Sequence, residues 1–190
     1  MNTFKTERFR DKQLGFAMYL IAEAIMFATL FATYFIYTPT AINPIPEEVF
    51  EARTVIISSV FLLTSSATIH YGEKAVEKGN HKGIWIGLVT TFLLSVGFIG
   101  MEAHEFHIYY KEGFTLTENL FLSSFYILVG LHASHVLFGM GWMLVLAYQK
   151  NRIPFMNYAQ KQNIFSYYWH FVDVVWIFII TLVYGPYLFY

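Results

Sequence analysis

The chain has 190 residues, of which 56% are hydrophobic, 20% aromatic and only 13% charged. That is too apolar and too charge-poor for a soluble domain, and it points to a bilayer as the solvent. The formal net charge of −1 offers no basic face for nucleic acid, and the absence of cysteine excludes disulfides, thiolate metal sites and iron–sulfur clusters.

The first apolar segment, residues 15–37, follows Lys5, Arg8, Arg10 and Lys12 as the core of a signal peptide follows its basic region. It is too long for one. A hydrocarbon layer about 30 Å thick needs about 20 apolar residues as helix, so this segment is predicted to be the first membrane span. Four more are predicted at residues 54–71, 83–104, 120–148 and 164–189. They must be helices, because lipid offers no partners to an open strand. Pro39, Pro44 and Pro46 punctuate the first loop, Gly113 the third, and Asn151, Pro154 and Asn157 the fourth. The predicted architecture is all-α: one membrane domain, residues 1–190, of five transmembrane helices.

Basic residues orient the bundle. Four lie in the N-terminal tail, Lys74, Lys78 and Lys82 in or near the second loop, and Lys150, Arg152 and Lys161 in or near the fourth. The other side has only Arg53 and Lys111, among Glu47, Glu48, Glu51, Glu112 and Glu118. The positive-inside rule then predicts the N-terminus inside and the C-terminus outside. Ser58, Ser59, Thr64, Ser65, Ser66 and Thr68 in the second span, and Gly83, Gly87, Gly97 and Gly100 in the third, predict close helix approach.

An ionisable group at membrane depth costs several kcal/mol unless it is paired, neutralised or hydrated. At about 1.5 Å per residue, Glu23 comes out roughly 12 Å from the inner end, His135 roughly 15–20 Å, and His170 and Asp173 roughly 10 and 15 Å. These four groups, from three helices, share a layer, with His132 one turn from His135 on the same face. Three readings are open. The layer is structural, with histidines bonded across helices; or Glu23 accepts protons; or Glu23, His135, His170 and Asp173 bind a metal. The metal reading lacks a motif, because the chain has neither His-Glu-x-x-His nor Glu-x-x-His on a helix. Glu102, His104, Glu105 and His107 form a second cluster at the outer end of the third span, where a solvated helix end is expected. No catalytic or metal-ligating residue is assigned.

Tyr168-Trp169-His170-Phe171-Val172-Asp173-Val174-Val175-Trp176 closely resembles the signature segment of haem–copper oxidase subunit III. Glu23-Ala24-Ile25-Met26-Phe27, Gly100-Met101-Glu102-Ala103-His104-Glu105-Phe106 and His132-Ala133-Ser134-His135-Val136 resemble the same family, in the same order. Ala133 stands where many relatives have glycine. The chain is similar to the short, five-helix bacterial form, without the two extra helices that wall a lipid-holding cleft in longer members.

The resemblance implies a non-redox core subunit of a proton-pumping terminal oxidase, cytochrome c or quinol oxidase, that reduces oxygen to water in the bacterial cytoplasmic membrane. Haem and copper would belong to the large subunit I, with phospholipid a further ligand. It also implies that Glu23 is the family's carbodiimide-reactive carboxylate, linked to proton uptake or to lipid, in a subunit that stabilises the complex. The residues themselves leave two alternatives open: a stand-alone membrane transporter or proton channel, and a membrane metalloenzyme.

Overall fold

The computed structural model describes residues 2–38 and 52–188, with side chains from Phe9 to Thr38 and from Arg53 to Tyr187. Among these residues the protein is all-helical: α1 (Asn2–Tyr37), α2 (Ala52–Glu77), α3 (His81–Lys111), α4 (Leu120–Gln149) and α5 (Phe155–Ile179), the last continued by a π-helical segment (Ile180–Tyr184) and a short α6 (Gly185–Leu188). Among the described residues, five helices are long and apolar enough to cross a membrane. Pro39, Pro44, Pro46, Glu47, Glu48 and Glu51 lie outside the described residues, as does the end of the last predicted span.

The helices overrun the predicted spans. α1 starts at Asn2 rather than near residue 15, α2 runs to Glu77, α3 reaches Lys111, and α5 begins at Phe155 rather than 164. Hydropathy marks where lipid must be met, whereas backbone hydrogen bonding continues into the polar flanks until a cap stops it. Those stops are local. Gly79 takes φ 63°, a left-handed conformation cheap only for glycine, and Asn80 then caps α3 by accepting from the Gly83 N–H at 3.2 Å. Asn119 caps α4 through the Leu122 N–H at 2.7 Å. Pro154 immediately precedes α5, where its missing N–H costs nothing.

α2 and α3 form the most extensive pair in the bundle. A Cβ on Gly87 would lie 2.7 Å from the Gly72 Cα, so backbone meets backbone there and no side chain fits. Thr68 and Thr91 join their hydroxyls across the same seam at 2.8 Å. Gly83 and Gly97 also face α2 side chains, while Gly100 faces open space. α5 fills the centre: Phe165, Tyr168, Trp169, Trp176 and Ile179 are fully buried. Its indoles reach the small polar face of α2, with Trp169 Nε1 donating to Ser65 Oγ at 3.0 Å and Trp176 Nε1 to Ser59 Oγ at 3.3 Å.

The π-helical segment follows from the residues after it. Gly185 N–H reaches back five residues to the Ile180 carbonyl, and Pro186 has no N–H to continue an α-helical ladder. Val183 and Tyr184 are thereby turned into the core, and the Tyr34 hydroxyl donates to the Val183 carbonyl at 3.4 Å, tying α1 to the end of the bundle. Elsewhere α1 packs lightly on α4 and α5 and leaves Leu14, Met18, Ile21 and Ile25 exposed, a surface suited to lipid or to another apolar protein.

Candidate functional site

The layer of ionisable side chains is divided between two sides of the bundle. On one side, Glu23 Oε2 of α1 lies 3.2 Å from His135 Nε2 of α4. His135 Nδ1 is 2.9 Å from the Leu131 carbonyl, and a carbonyl can only accept, so Nδ1 carries hydrogen. A hydrogen bond at Nε2 then requires one further proton, held by the Glu23 carboxyl or by the imidazole. In either state the pair is neutral overall, which removes the cost of an isolated charge in the apolar layer. Phe27 covers His135, its ring 5.2 Å away, and the Tyr168 hydroxyl holds the His135 carbonyl at 2.8 Å. The α4 segment is thus pinned from both α1 and α5.

On the other side, His170 Nδ1 of α5 faces Ser66 Oγ of α2 at 3.1 Å and Asp173 Oδ2 at 3.9 Å, and its Nε2 faces Glu73 Oε1 at 3.7 Å. Asp173 is buried, whereas His170 opens to a cleft also lined by His70, Glu73 and Gln162. His132 joins neither group. It is buried, stacked on Trp176 at 5.1 Å and edge-on to Phe98 at 5.9 Å, and both its nitrogens are without a hydrogen-bond partner among the described residues.

The four residues Glu23, His135, His170 and Asp173 therefore do not converge on one point. The one group of three or more ligand-type side chains that does converge, among the described residues, is His70, Glu73 and His170. Sequence reasoning passed over His70 and Glu73. Their i,i+3 spacing on α2 was visible, but their third neighbour lies on another helix and carries no local signal.

At the opposite end His104 and His107 are exposed on the chain, whereas Glu102 and Glu105, expected at a solvated helix end, are buried, each 2% exposed. Helical rotation explains the split: positions 102, 105 and 109 share the face packed on the bundle, and 104 and 107 point away. Tyr109 donates to Glu105, and Ser58 of α2 lies beside Glu102.

A family model described as cytochrome c oxidase subunit III matches residues 5–186. The chain belongs to this family. It is 42% identical to a cytochrome c oxidase subunit 3 of Bacillus sp. (strain PS3) over 92% of its own length and 86% of that protein. It is 41% identical to a quinol oxidase subunit 3 of Bacillus subtilis (strain 168), covering 95% of this chain and 90% of the relative. A cytochrome bo(3) ubiquinol oxidase subunit 3 of Pseudomonas putida is 40% identical, with coverages of 90% and 84%. The chain is accordingly a terminal-oxidase subunit III, a multi-pass protein of the bacterial plasma membrane, and it works within a multi-subunit oxidase complex. His132 is enclosed by Trp176 and Phe98, while His135 faces Glu23 and His170 faces Glu73 and Asp173, so these three histidines do not gather as the ligands of one haem or copper centre.

Proposed function

We propose that this subunit III is a non-redox core subunit of a proton-pumping haem–copper oxidase. It packs against the haem-bearing subunit I, leaving oxygen reduction to that partner. Its contribution is structural support together with a proton held between Glu23 and His135. The observation that carries the proton role is the Glu23 Oε2 to His135 Nε2 contact at 3.2 Å, in which the neighbouring Leu131 carbonyl fixes where one hydrogen must sit. A site that holds one proton in the apolar layer and is only partly covered can exchange it toward a partner. Near-equal likeness to relatives named for cytochrome c and for quinol fits an electron donor that binds to other subunits.

Tyr168, Trp169 and Trp176 supply the support by joining α5 to α4 and α2. The apolar groove between α1 and α5, about 470 Å³ and lined by Ala24, Phe27, Phe31, Phe171 and Phe178, is suited to an acyl chain. In the orientation proposed here the N-terminus is cytoplasmic.

Mild-detergent purification through a tag on this chain tests the assignment. Haem absorption bands in the eluate are expected. Recovery of the chain without haem, from membranes whose oxidase is intact, would overturn it.

A further inference from the structure

The convergence of His70, Glu73 and His170 lies outside the Glu23 pair, where α2 meets α5. One Glu73 oxygen faces His70 Nδ1 at 2.9 Å and the other faces His170 Nε2 at 3.7 Å, with the three ligand atoms all within 4.8 Å of one another. Ligands bound tetrahedrally to Zn²⁺ at about 2.0–2.1 Å stand about 3.3 Å apart, a spacing that three atoms within 4.8 Å of one another reach by small side-chain rotations. The side chains are 55%, 28% and 38% exposed, so a cation can enter without unfolding the bundle.

Two further features distinguish this group from a chance surface ion pair. The first is support behind the ligand. His170 Nδ1 lies within hydrogen-bond distance of Ser66 Oγ at 3.1 Å and at ion-pair range, 3.9 Å, from the buried Asp173 carboxylate, leaving Nε2 directed at Glu73. Metal-bound histidines characteristically carry such a partner on their other nitrogen, which sets the tautomer and holds the ring. The second is an open coordination position. The group borders a cleft of about 620 Å³ between the end of α2 and the start of α5, with Phe9 of α1 at its rim, so water can complete the shell. A divalent cation bound between the carboxylate and the two imidazoles would crosslink α2 to α5.

We propose that His70, Glu73 and His170 form an accessible site for a late first-row divalent cation of the Zn²⁺ class. Ser66 and Asp173 orient His170 from behind as positioning residues. Imidazole with one carboxylate is a ligand set suited to zinc, copper or nickel rather than to Mg²⁺ or Ca²⁺. The site goes beyond the oxidase role and does not depend on it.

The test uses the assembly recovered through the tagged chain, washed with chelator and titrated with Zn²⁺ alone, with bound zinc counted against the His70→Ala assembly. His70 is exposed, so that variant is expected to fold. The wild type should take up one more Zn²⁺ per copy than His70→Ala, and its zinc-edge X-ray absorption should show two imidazoles and a carboxylate. Asp173→Asn should retain the stoichiometry and weaken binding about 10- to 100-fold. Uptake in His70→Ala and Glu73→Gln equal to wild type would mean adventitious ions only and would overturn the site.

Discussion

Glu23 and His135, separated by 112 positions in the chain, meet at 3.2 Å between α1 and α4. The contact holds a hydrogen between two groups that can each carry it, on a helix that otherwise packs lightly on its neighbours.

Replacing Glu23 by Gln keeps the size and a donor to His135 Nε2, and removes the transferable proton. The Glu23→Gln complex is expected to assemble with normal haem content. Its proton-coupled turnover should fall, most strongly at high pH, where bulk protons are scarce. Turnover and pumping equal to wild type across pH would assign the pair a structural role alone.

Gly87→Val places atoms where the Gly72 backbone already lies, with even the first added carbon 2.7 Å from the Gly72 Cα. Neither side can yield by a rotamer change, so α2 and α3 must separate. Overpacking of this kind costs about 1–3 kcal/mol. A lowered detergent-denaturation midpoint should report it, with Gly100→Ala, which faces open space, as the neutral comparison.

The Trp169 to Ser65 bond joins α5 to α2 inside the bundle at 3.0 Å. Hydrogen bonds between membrane helices average about 0.6 kcal/mol and reach about 1.7. A double-mutant cycle with Ser65→Ala and Trp169→Phe should yield a coupling in that range. A coupling of zero would mean that the indole is held by packing alone.

The orientation rests on ten basic residues gathered at one end. Lys150 Nζ donates to the His81 carbonyl at 2.5 Å, and Lys161 Nζ to Gln149 Oε1 at 2.7 Å, so the turns after α2 and α4 meet there. A reporter fused after Lys82 or Lys150 should read cytoplasmic, and one after Gly113 external. Inverted signals would reverse the topology.

The sequence by itself determined the number and type of the spans, because bilayer thickness and the need to satisfy every backbone group act on each segment separately. It also carried the family, since Tyr168 to Trp176 is a contiguous string, of which the fold buries Tyr168, Trp169, Val172, Asp173, Val175 and Trp176. Which face each helix turns inward was decided only by the tertiary structure. In a soluble protein apolar periodicity reveals that face, but in a bilayer both the lipid side and the packed side are apolar, and the periodicity fades. Glu102 and Glu105 therefore read as a solvated end and are buried, while His70 and Glu73 carry no local signal of a site and meet His170. The layer predicted from depth alone was divided for the same reason. Depth follows from counting residues along an axis, whereas contact between Glu23 and His135, or between His170 and Glu73, depends on helix rotation, which is set by where Gly87, Trp169 and their neighbours allow the helices to pack.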